Sequence, residues 1–262
     1  MLIIIISLIS INFLIIAHEL GHFLLAKFYN VKIDEFSIGF PPRIFSFKRG
    51  EVLYSINAIP FGAFVKLNED LAKDDQRNFA NKKTHQKAII FLGGVLTNII
   101  IAFIIFLILF NIGFPKVFLP AGYNLRYSFG QAFIMTFRFM ADILVQSLIG
   151  LKTAFVKIFT RLDVSDLMGP VGLFALTSRG FRYGLSYGVG IIGIISYALA
   201  IFNLLPIPAV DGGQILFLLI GKIRRKPISR KTEELITNIV FGFLILLAVL
   251  VTIKDVRFFY FH

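Results

Sequence analysis

The chain has 262 residues, a formal net charge of +12, no cysteine and 57% hydrophobic residues, with a mean hydropathy of +0.82. An apolar share above the roughly 45–50% of soluble domains excludes an ordinary water-soluble globule and predicts a polytopic α-helical membrane protein. The Lys and Arg lie in separate loops, which fits contact with an anionic leaflet and argues against nucleic acid as a partner; the lack of Cys excludes disulfides and thiolate metal ligands.

The first element is an apolar run over 1–29, long enough to cross a bilayer with tilt. It has no basic leader and continues too far for a signal peptide, so it reads as a retained span. Residues 33–67 alternate apolar and polar side chains and are punctuated by Gly39, Pro41, Pro42, Gly50, Pro60 and Gly62. This predicts a membrane-associated β-hairpin or small sheet, with Lys48-Arg49-Gly50-Glu51 at its turn. A charged loop leads to a second span over 88–114. Residues 129–160 carry Arg138, Asp142, Lys152 and Lys157, and are expected to form an interfacial amphipathic helix, with a fifth span as the alternative. Met168-Gly169-Pro170-Val171-Gly172-Leu173 reads as a loop. A third span over 187–210 should end or kink at Pro206, Pro208 and Gly212-Gly213, and a fourth covers 235–253. About four spans are therefore expected, within a single membrane-embedded domain.

Ten Lys and Arg lie between 30 and 87 and six between 221 and 231, against eight across 115–186. This asymmetry places the first two stretches in the cytosol and both termini outside.

The chemistry begins at Ala17-His18-Glu19-Leu20-Gly21-His22, inside the first apolar run. Imidazoles at i and i+4 share a helix face and can hold one divalent ion, with Glu19 beside them to handle a proton. Ionisable groups at bilayer depth are costly unless paired or metal-bound, so a functional site is the default reading. Zinc suits nitrogen ligands with an open position, but two histidines leave it one protein ligand short. Asp142, Glu233, Glu234 and Asp211 are the candidates. Asp211 stands out, lying in an apolar run at a helix break; its plain alternative is to cap a helix starting at Gln214. His85 and His262 read as solvated bystanders.

Together with Asn203-Leu204-Leu205-Pro206-Ile207-Pro208-Ala209-Val210-Asp211-Gly212-Gly213, the His-Glu-Leu-Gly-His motif resembles the site-2 protease family of intramembrane zinc metalloproteases. Its bacterial regulated-intramembrane-proteolysis branch is the most similar. The 36–67 stretch resembles that branch's reentrant β-loop. Gly93-Gly94-Val95-Leu96-Thr97-Asn98 resembles its GPxxN motif, and Gly169-Pro170-Val171-Gly172 its GPVG motif. The resemblance implies one zinc per chain held by His18, His22 and Asp211. Glu19 would be the base, and later the acid, for a water activated at the metal. Asn203 would bind substrate or support its carbonyl, the alternative being a helix–helix contact. Asn98 would serve packing or line a water path. Val95 departs from the proline of GPxxN, and 115–186 is too short for the interfacial helix plus the PDZ domain that many members carry there. The implied substrates are single-span membrane proteins, such as anti-sigma factors or remnant signal peptides. They would be cut in the cytoplasmic membrane near its cytosolic face. A span-binding pseudo-protease is the alternative function.

Overall fold

In the computed structural model the described residues are 2–69, 75–120, 123–161 and 163–260, with the backbone alone at 259 and 260. In chain order they form α1 (Leu2–Phe28), β1 (Ile33–Arg49), β2 (Val52–Leu67), α2 (Thr84–Ile112), α3 (Phe129–Arg161), α4 (Pro170–Tyr183), α5 (Leu185–Leu204), α6 (Asp211–Ile223) and α7 (Arg230–Tyr260). Five of these helices, α1, α2, α3, α5 and α7, are long and apolar enough to cross a membrane. Only 6% of the most apolar window of α7 is buried in protein, so its Leu, Ile and Phe side chains suit lipid rather than a protein core.

The hairpin follows the expected alternation and turns at Gly50, whose φ of 64° favours glycine. Its strands pair antiparallel, but not as one flat ladder. Arg49 faces Val52 and Phe47 faces Tyr54 around the turn, while Phe36 and Ile38 have partners on two sides. Phe36 pairs with Val65 and with Tyr54, and Ile38 with Ala63 and with Ile56. Each long strand therefore folds back along the other. Phe40, Ile44, Phe45, Phe47, Ile59 and Phe61 remain exposed.

The structure divides into two compact units by its internal contacts. One comprises 12–98 and 202–240, and holds the hairpin, α6 and parts of α1, α2, α5 and α7. Its core packs Phe23, Ala26, Val31, Ile33, Phe79 and Ile90. At its centre α1 and α2 touch backbone to backbone: a Cβ on Gly21 would lie 2.2 Å from the Gly93 carbonyl oxygen. The other unit contains all of α3 and α4 with the remaining parts of those four helices. Its core is aromatic, with Phe106, Phe110, Phe114 and Phe139 packed mostly edge to face.

Three stretches depart from the sequence reading. The Gly169-Pro170 stretch starts a helix rather than a loop, because Pro170 at the first helical position has no N–H to lose and Gly169 serves as the N-cap residue. The third apolar stretch ends as a helix at Leu204, earlier than residue 210, and restarts as α6 at Asp211 after the two prolines. The last helix, α7, is also longer than 235–253.

Candidate metal centre

One helical turn separates His18 and His22 on α1, and their ring centroids are 4.9 Å apart. Asp211 comes to them from the helix break that follows α5. Its Oδ2 lies 3.0 Å from His18 Nε2 and 3.3 Å from His22 Nε2. The three side chains are 10%, 12% and 17% exposed, so they meet largely out of solvent. Among the described residues they are the one group of three or more His, Asp or Glu whose ligand atoms converge, all within 4.8 Å of one another.

The turn that delivers Asp211 depends on glycine for space rather than for φ. A Cβ on Gly212 would sit 2.2 Å from the Leu205 carbonyl oxygen, and one on Gly213 would sit 2.1 Å from that of Ile207. The first turn of α6 thus packs against the backbone of the proline-containing turn. Asp211 is itself the first helical residue, and Val210 holds the N-cap position without a side-chain cap bond. The capping role for Asp211 is therefore not what the structure displays. A carboxylate at this end of α6 is also favoured by the helix dipole.

The outer nitrogens of both rings have partners. Nδ1 of His22 donates to the Ile90 carbonyl at 2.8 Å, which leaves the Nε2 lone pair directed at Asp211. Nδ1 of His18 lies 3.3 Å from the side-chain amide of Asn98, a fully buried residue. The amide can turn its oxygen to this nitrogen, so His18 can be held in the same tautomer as His22. Ligating histidines characteristically use their second nitrogen this way. A tetrahedral ion with bonds of ~2.0–2.1 Å separates its donors by about 3.3 Å, close to the spacings here. The donor set fits a nitrogen- and oxygen-liganded divalent metal.

Glu19 is half-buried, and the backbone N–H of Val65 in β2 lies close to its carboxylate. The hairpin therefore reaches the carboxylate next to the histidines, a link that alternation in the sequence could not reveal. Gly94 is equally placed, since a Cβ there would lie 2.4 Å from His18 Nε2.

The other candidates fall elsewhere. Asn203 is half-buried in the last turn of α5, across the proline turn from Asp211. Asp142 accepts the Tyr123 hydroxyl at 2.8 Å, and Glu234 pairs with Arg230 at 2.9 Å. Glu233 opens α7, and His85 is exposed in the first turn of α2. His262 lies outside the described residues. Asn98 is the residue whose contact with His18 the sequence reading missed.

Residues 6–247 match peptidase family M50. The chain belongs to this family. Among curated relatives, the M50 chain is 28% identical to the "Putative zinc metalloprotease" of Clostridium acetobutylicum, over 97% of each protein. It is 44% identical to the "Probable protease eep" of Enterococcus faecalis over 40% of this chain and 25% of that one. It is 40% identical to "Zinc metalloprotease RasP" of Bacillus licheniformis over 37% of this chain and 23% of that one. The Clostridium alignment runs over 328 positions, so that relative carries residues inside the matched span that this M50 peptidase lacks.

Proposed function

We propose that this M50 peptidase is an intramembrane zinc metalloprotease that hydrolyses peptide bonds within the membrane-spanning segments of single-span proteins. The observation that carries the reading is the meeting of His18, His22 and Asp211 beside Glu19, within a helix of bilayer length and apolarity. The relatives named as zinc metalloproteases support zinc as the ion. Bound by these three residues, zinc would supply Lewis acidity and make water reactive at neutral pH.

The chain's own groups account for the remaining chemistry. The Glu19 carboxylate takes the proton from the attacking water and returns it to the leaving amide nitrogen. A substrate helix hides its carbonyls in its own hydrogen bonds and must unwind before attack. An unwound segment can add as a strand to an edge of the hairpin. Asn203 would support the substrate carbonyl. The exposed Phe and Ile side chains of the hairpin fit a surface in lipid. The basic 30–87 and 221–231 stretches favour a site near the cytosolic face of the cytoplasmic membrane.

The test uses purified protein and a model single-span substrate. Glu19→Gln should retain zinc and lose cleavage, whereas His18→Ala should lose both. Undiminished cleavage by either variant would overturn the mechanism, and zinc-loaded wild type that binds but never cuts would favour a pseudo-protease.

A further inference from the structure

A cavity of about 550 Å³ lies where α1 ends against the turn of the hairpin. Lys27, Lys32, Arg49 and Arg77 line it, with Tyr54 and, among the described residues, the single carboxylate Glu51. Arg77 is already occupied, by Glu51 at 3.1 Å and Asp75 at 3.5 Å. The backbone N–H of Arg77 holds the Asp75 carboxyl below its ordinary range, so Asp75 stays charged, and its field also reaches Lys32. Lys27 and Arg49 have no ion-pair partner among the described residues. The lining is thus a concave basic surface only partly neutralised by its own acids.

We propose that this cavity binds the phosphate headgroup of an anionic phospholipid. The inference rests on α1 crossing the bilayer and not on proteolysis. The cavity sits at the end of a bilayer-length apolar helix, beyond Lys27 in its last turn, which is where headgroups are found. Its charge is complementary to a phosphodiester with no compensating cation, and it disfavours a zwitterionic headgroup whose ammonium would meet Lys27 and Arg49. An acidic headgroup would join the end of α1 to Arg49 at the hairpin turn. Through this link, membrane composition would act on the placement of the sheet beside the helix that carries His18 and His22.

Native mass spectrometry of the detergent-purified full chain provides the test, with dioleoyl phosphatidylglycerol and dioleoyl phosphatidylcholine as probes. Wild type should retain phosphatidylglycerol in preference to phosphatidylcholine. K27Q/K32Q/R49Q should lower that retention about tenfold or more. K222Q/R224Q/K226Q removes three exposed basic residues away from the cavity and should leave retention unchanged. Zinc content and thermal unfolding report whether each variant is folded. If the cavity triple does not purify folded, K27Q and R49Q singly carry the same comparison. Equal losses in both triples would overturn the proposal, as would indifference to headgroup or displacement by an equal concentration of inorganic phosphate. Repeating the measurement with Glu19→Gln separates it from the protease reading, because binding should persist where cleavage does not.

Discussion

Around His18 the space is filled to the atom, and that decides which residues the neighbouring helix can carry. Gly94→Ala would place a methyl carbon 2.4 Å from Nε2, the atom that faces Asp211, with the ring held between two helices. The expected result is loss of zinc at normal expression, read by metal analysis after dialysis against a zinc buffer. Asn98 acts one shell further out. Asn98→Leu removes the partner of Nδ1, and zinc affinity should fall ~10–100-fold, the usual cost of losing an outer-shell ligand to a metal-binding histidine. Asn98→Asp keeps an acceptor of the same shape and should restore most of the affinity. An equal loss in both variants would mean that Asn98 serves packing alone. The His pair and Glu19 were legible in sequence because their spacing is local and the helix period is known. The contact of Asn98 with His18 was not, because a contact across 80 residues leaves no local pattern.

At the scale of elements, legibility followed the range of the interactions. Residues 1–29, 88–114 and 235–253 are apolar runs long enough to cross a bilayer as helices, and the two prolines announced the end of α5. The hairpin was readable from alternation, but its double pairing depends on tertiary contacts. The helix α4 was hidden because Gly and Pro serve equally to make a loop and to start a helix. Its start is fixed from a distance by Asp255 of α7, whose buried Oδ2 accepts the N–H groups of Gly169 at 2.8 Å and Gly172 at 2.9 Å. These are orphan donors of a helix N-terminus, and the carboxylate satisfies both. Side chains at either glycine would collide with it, since Cβ atoms there lie 3.0 and 2.7 Å from Oδ2. Asp255→Ala should therefore destabilise the protein by about 2–4 kcal/mol, the loss of two charge-assisted bonds at a buried site. Asp255→Asn, which keeps one acceptor, should cost less. Reversible unfolding in detergent measures both.

For the whole molecule the decisive question is whether α3 crosses the bilayer, since its length and apolarity permit it. Contacts along α1 supply an answer. His22 meets Ile90, Gly21 meets Gly93 and His18 meets Asn98, so α1 and α2 run antiparallel and α2 finishes on the side where α1 begins. Past α3 the chain is still on that side, because Ser178 of α4 donates to Ser7 near the start of α1 at 3.1 Å. The end of α5 then delivers Asp211 toward the opposite end of α1, at His18 and His22. If α3 crossed alone, the chain would have to return before Ser178, and irregular backbone cannot span lipid, so the return would fall to the 14 residues of α4. At 1.5 Å per residue they reach about 21 Å, short of a hydrocarbon core of about 30 Å. The expected outcome is therefore four crossings, by α1, α2, α5 and α7, with α3 at one face. The absence of native cysteine makes this testable with single replacements. In intact cells an impermeant maleimide should label Asn124→Cys and Ser165→Cys, which flank α3, and should reach Lys83→Cys and Ser229→Cys only after permeabilisation. Labelling of Asn124→Cys and Ser165→Cys from opposite faces would instead make α3 a fifth crossing. The membrane side on which α5 delivers Asp211 would then no longer match that of His18 and His22.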